Sequence, residues 1–159
     1  MAKTPSLMEL YKVPTERDMD PEDSLYNAIL EQESGGSITP ASEVNPRTGA
    51  VGLGQIKPEN IGPWSEKWLG YPLSEEEFKD HPELQERIIR AQINEYKEKS
   101  IKEGYSESES LRRALASWYG GPEHANLHNT THKQGPNKDE PSFKEYIDSV
   151  ISKMEFGQP

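Results

Sequence analysis

The sequence predicts a mostly α-helical single domain with little or no sheet. Apolar residues recur at three- and four-residue steps in several segments, the spacing that gathers them on one helix face. Helix start and stop signals bracket those segments. No convincing run alternates apolar and polar residues as a half-buried strand would. A length of 159 residues fits one domain, able to bury roughly 70% of its unfolded surface. The core must be lean, because hydrophobic residues make up 31% and the mean hydropathy is -0.94.

The elements follow in order from local signals. Residues 1–19 carry no helical period; Leu7, Met8, Leu10, Tyr11 and Val13 form a small apolar cluster ahead of Thr15-Glu16-Arg17-Asp18. They read as an N-terminal tail or a docking segment for a partner, and residues 20–156 as the domain proper. The first helix opens with Asp20 as cap, Pro21 at the first helical position, and Glu22 and Asp23 at the positive end. Leu25, Ala28, Ile29 and Gln32 share a face, Gly35-Gly36 stops the helix, and Glu33 falls in its last turn. Residues 37–50 read as loop, with turn signals at Pro40, Asn45-Pro46 and Thr48-Gly49. Gly52 to Lys57 is expected as a short helix before Pro58, and Trp64 and Trp68 follow in a stretch punctuated by Gly and Pro.

Ser74 followed by Glu77 spells a capping box. A long helix is expected from about Pro82 to Ile101, with adjoining apolar rows Leu84, Ile88, Ala91 and Ile89, Ile93, Tyr96. Leu111, Ala114, Leu115 and Trp118 predict another helix, ended by Gly120-Gly121-Pro122. Residues 123–140 are polar and loop-like. Phe143, Tyr146, Ile147, Val150, Ile151 and Met154 mark the last and most regular helix.

Charge and composition narrow the function. A net charge of -10 and a pI of about 4.9 argue against a nucleic-acid binder and against electrostatic docking on anionic lipid. Without cysteine there is no disulfide, thiolate zinc site or cysteine nucleophile. No stretch is long and apolar enough for a signal peptide or a membrane span, so synthesis in a cytoplasm is expected.

Glu33 is the first candidate for chemistry. A carboxylate near a helix C-terminus faces the negative end of the dipole, and partial burial disfavours its charge further. Both raise its pKa toward the range of a general acid at neutral pH. Glu31, on another side of the helix, reads as solvated. Gly49-Ala50-Val51-Gly52-Leu53-Gly54-Gln55-Ile56 then supplies a glycine-rich turn where a polymer could approach the backbone, with one glutamine to bind it. Such a layout suits cleavage of a glycosidic bond, which begins with protonation of the departing oxygen.

Four phrases in order resemble the soluble-type lytic transglycosylases, which share a lysozyme-like fold with goose-type lysozymes. Ile29-Leu30-Glu31-Gln32-Glu33-Ser34 is similar to the motif whose Glu-Ser pair carries the catalytic acid. The glycine-rich turn is similar to Gly-Ala-x-Gly-Leu-Met-Gln, with Gly54 in place of Met. Ala114-Leu115-Ala116-Ser117-Trp118-Tyr119-Gly120-Gly121-Pro122 is similar to Ala-Leu-Ala-Ala-Tyr-Asn-Ala-Gly-Pro, with Trp118 for Tyr and Tyr119 for Asn. Tyr146-Ile147 with Val150 is similar to a Tyr-Val pair inside a helix; Ser142-Phe143 stand where an acidic residue usually precedes it. The likeness runs from about Pro21 to Met154, and the loop between Glu33 and Gly49 is longer than usual.

The resemblance implies a single lysozyme-like domain with a substrate groove, acting on peptidoglycan without cofactor or metal. It implies Glu33 as catalytic acid and then base, with the product sugar closed into a 1,6-anhydro end. Ser34, Gly52, Gln55, Trp118, Tyr119 and Tyr146 are the implied substrate-binding residues. A bacteriophage enzyme is the expected setting, with residues 1–19 as the segment that would meet virion or tail proteins. A goose-type lysozyme hydrolase is an alternative, as is a wall-binding or virion structural protein without activity. Glu43 and Glu59 are the candidates for the second carboxylate that hydrolysis would need. His124, His128 and His132 stand four apart, but their surroundings do not read as a stable helix, so metal binding is not expected. Asn129-Thr130-Thr131 matches a glycosylation sequon to which no role is given.

Overall fold

The computed structural model describes residues 21–34, 40–134 and 140–156. The expected docking segment, the Asp20 cap and the Gly35-Gly36 stop lie outside the described residues. Helix α1 spans Pro21–Ser34, α2 Pro58–Leu69, α3 Glu75–Asp80, α4 Pro82–Lys102, α5 Glu107–Gly120 and α6 Phe143–Phe156, with a 3-10 turn at Pro122–Leu127. Among the described residues the only strand-like pairings are two isolated bridges, Val44 with Val51 and Val51 with Ile56. The expectation of a mostly helical domain with almost no sheet is met.

Local chemistry explains most of the boundaries. The Ser74 hydroxyl accepts from the Glu77 amide while the Glu77 carboxylate takes the Ser74 amide, closing the expected capping box on α3. Ser106 caps α5 through the Glu109 amide. The Ser142 hydroxyl accepts from the Glu145 amide and the Glu145 carboxylate takes the Ser142 amide, so a second box starts α6. Gly70, at φ 90°, turns the chain out of α2.

Two expectations change. Gly52 to Lys57 is not a helix. Val51 and Ile56 exchange backbone hydrogen bonds at 2.8 and 2.9 Å, closing a tight turn. Gly52 (φ 77°) and Gln55 (φ 50°) take left-handed backbone there, which a right-handed helix cannot contain. The Gly/Pro-punctuated stretch does contain a helix, α2. Pro58 suits its first turn. Pro63 is tolerated because burial of Ile61, with Trp64 and Trp68 packed on the same core, outweighs one lost amide donor.

The core has two parts. Ile29, Leu115, Phe143, Ile147 and Val150 join α1, α5 and α6. Val51, Ile61, Phe78, Ile88 and Ile89 join the turn to α2, α3 and α4. Trp118 packs on both parts. Each fully buried aliphatic side chain contributes about 1.5–3 kcal/mol. Two buried polar groups add direction. The Gln85 amide donates to the Ala41 and Phe78 carbonyls and accepts from the Leu53 amide. Arg113 donates to Ser100 and Asn126 and lies 3.9 Å over the Tyr105 ring.

Candidate active site

A groove of about 1180 Å³ runs between the two parts of the core, and Glu33 opens on it. The regular packing of α1 against α6 carries the carboxylate to its place. Leu25, Ala28 and Ile29 bury inward, and Gln32 accepts from Ser149 and Lys153 of α6. One residue on, Glu33 accepts a 2.6 Å hydrogen bond from the Tyr146 hydroxyl. Protein crowds the carboxyl, and this desolvation raises its pKa to about 7. Hydrogen bonding from Tyr146, and then from the Trp118 side chain, opposes the shift without cancelling it. Tyr146 is itself buried, and burial beside the Glu33 charge pushes its phenol well above the ordinary tyrosine range. The pair therefore holds one carboxyl proton near neutrality and one phenol that stays protonated.

Gln55, Trp118 and Tyr119 line the same groove. The left-handed backbone of Gln55 lets its amide nitrogen donate to the Gly52 carbonyl at 2.9 Å. Its amide oxygen has no partner among the described residues. Trp118 sits 5.6 Å from Trp64, ring centre to ring centre. Tyr119 stacks on Tyr146 at 4.1 Å.

Gly52 does not line the groove. A Cβ there would stand 2.3 Å from Gln85 Oε1, so this glycine makes room for the amide that braces the turn from behind. The expectation of a substrate contact becomes a role in seating Gln55. The side chain of Ser34 lies outside the described residues. Glu43 is exposed and not part of the groove, so it does not face Glu33 across it; Glu59 does line the groove.

The three histidines do not converge. His124 donates to the Gly120 carbonyl at 2.6 Å, and His132 lies near the Phe143 ring. Burial desolvates His128 and, with the neighbouring Arg112 charge, lowers its pKa. Among the described residues no group of three or more His, Asp or Glu could hold a metal ion.

Sequence reasoning left out part of the groove. Trp64 and Lys67 of α2 face Gln92, Glu95 and Tyr96 of α4. Trp68 donates to Gln92 at 2.8 Å and Lys67 pairs with Glu95 at 2.5 Å, which ties these helices together. The spacing of Ile61, Trp64 and Trp68 points to this wall, but the Gly and Pro that punctuate the stretch obscure it. Comparison with protein-family models, curated proteins and solved structures finds no match.

Proposed function

We propose that this chain is a peptidoglycan lytic transglycosylase of lysozyme-like fold, cleaving the β-1,4 bond between N-acetylmuramic acid and N-acetylglucosamine. One observation carries the reading: a groove-facing carboxyl, Glu33, with a pKa raised to about 7 and a tyrosine donor 2.6 Å away. The four sequence phrases that resemble the family support it, because Glu33, Gln55, Trp118, Tyr119 and Tyr146 from all four meet at this groove.

Glu33 gives its proton to the bridging oxygen, and the bond from that oxygen to the muramyl C1 breaks with both electrons on oxygen. The substrate's acetamido oxygen bonds to C1 and carries the positive charge. The muramyl C6 hydroxyl then attacks C1, the acetamido oxygen leaves, and the hydroxyl proton returns to Glu33. No water enters the balance. Tyr146 steadies the carboxylate between the two proton transfers. Gln55 offers an amide to sugar hydroxyl or acetamido groups. Trp118 and Trp64 give flat apolar faces for the rings.

Mass spectrometry of purified peptidoglycan after digestion tests the proposal. Anhydromuramyl ends from the parent and none from Glu33→Gln are expected. Reducing ends from the parent would instead assign hydrolysis, with Glu59 as the groove carboxylate to examine for the water. An inert parent would favour a wall-binding or virion structural protein without activity.

A further inference from the structure

Tyr119 is expected on the saccharide wall and does line the groove, but most of it is already engaged. One face of its ring lies flat on Tyr146, with centres 4.1 Å and planes 12° apart. Phe143 meets the same ring edge-on at 5.2 Å. The Tyr119 hydroxyl donates to the Pro141 carbonyl at 2.7 Å, and its backbone carbonyl accepts from the Gln134 amide. Phe143 comes this close only because residue 120 is glycine: a Cβ there would stand 2.5 Å from Phe143 Cζ. Several segments of the chain thus converge to hold one ring.

We propose that Tyr119 is a positioning residue that keeps the Tyr146 hydroxyl on Glu33. A phenol that turns about its own long axis leaves its hydroxyl in place. A phenol that tilts about its Cα–Cβ bond carries the hydroxyl away. A flat neighbour stacked on the ring blocks the tilt, and the Pro141 anchor and Phe143 edge keep that neighbour from yielding. The residue that touches Glu33 is Tyr146; Tyr119 acts through it. The value of this clamp to cleavage rests on the proposed role of Glu33, but its existence does not.

The test reads titration rather than turnover. In the whole chain, the Glu33 carboxyl is followed by carbon NMR in the parent, Tyr119→Leu, Tyr119→Phe, Tyr146→Phe and the Tyr119→Leu, Tyr146→Phe double variant. Tyr146→Phe removes the donor and is expected to raise the Glu33 midpoint by about half a pH unit or more. Tyr119→Leu is expected to raise it comparably, Tyr119→Phe, which keeps the stacked face and the Phe143 edge but loses the Pro141 anchor, to raise it by less, and the double variant to add nothing beyond Tyr146→Phe alone. An unmoved midpoint in Tyr119→Leu, a downward shift, additivity in the double variant, or an equal shift in Tyr119→Phe would each overturn the clamp. Should Tyr119→Leu fail to fold, Tyr119→Met, which is flexible and has no flat face, is read in its place: the same upward shift is expected, and an unmoved midpoint overturns the clamp. Wall digestion is scored apart, so a clamp in a protein that cuts no glycan would sink the proposed function and leave this inference standing.

Discussion

Two walls of one groove treat a carboxylate in opposite ways. On the α1 wall, Glu33 is crowded by protein, has no cation partner among the described residues, and accepts from a buried phenol. On the α4 wall, Glu95 keeps 40% of its side chain exposed and pairs with Lys67 at 2.5 Å. Both sit on helices and both face the groove. The first arrangement makes ionisation uphill and keeps a proton for transfer. The second makes a surface ion pair, worth about 0–1 kcal/mol. What separates a carboxyl that stays protonated near neutrality from one held in an ion pair is its neighbourhood, and residue type says nothing about it.

The largest expected contrast is in turnover. Glu33→Gln should lower kcat by about 10²–10⁴-fold, the usual scale of a general acid. Glu95→Gln should stay within about twofold. Peptidoglycan turbidity assays on the two variants read both, and equal losses would break the contrast.

Stability against pH is the next. With its pKa raised to about 7 from 4.5, folded Glu33 binds more protons than unfolded Glu33 between those values. Its contribution is fully present below about pH 4.5 and is lost as pH rises through about 7. The loss amounts to roughly 3 kcal/mol for a shift of that size. Glu33→Gln should therefore be the more stable protein at pH 8 and lose most of that advantage at pH 4. Glu145 and Asp148 have lowered pKa values and act in the opposite sense at lower pH, so the difference between parent and variant is the quantity to follow. Urea unfolding at the two pH values measures it, and a pH-independent difference would place Glu33 in solvent.

The turn that carries Gln55 depends on a buried amide. Gly52→Ala would force a Cβ onto Gln85 Oε1 and strain a left-handed residue. A loss of about 2–3 kcal/mol is expected. Gly62→Ala is the control, since a Cβ there meets nothing within 4 Å, and it should change stability by less than about 1 kcal/mol. An effect as small as that of Gly62→Ala should come from Lys67→Met, which removes the exposed ion pair and should shift stability by no more than about 1 kcal/mol.

The sequence made the α1 wall and the α4 helix of the other wall readable and hid α2, which packs against α4. Helix α1, the last-turn position of Glu33 and the regular stripe of α6 follow from apolar spacing, because both helices bury one face against each other. Two apolar helices at such spacing also bring Tyr146 within reach of Glu33. The α2 wall was hidden because Gly62-Pro63 is a local break signal that tertiary burial of Ile61 overrides. The Gly52 to Lys57 turn looked helical because short apolar runs carry no period, and only the left-handed Gln55 and the Gln85 amide, 32 residues beyond the Leu53 it accepts from, decide it. Neither is visible in a local window. The departures from the resembled motifs also gain a physical reason. A Cβ on Gly54 would stand 2.8 Å from Ile89 and 3.4 Å from Trp118, so no longer side chain fits there unless Ile89 moves, beside an indole at position 118.

The pKa of one carboxyl tests the account most directly. Carbon NMR of the Glu33 carboxyl across pH in the parent should give a midpoint near 7, set apart from the carboxylates on the surface. A midpoint in the ordinary glutamate range, between about 4 and 5, would mean that the carboxyl is solvated and holds no proton to give.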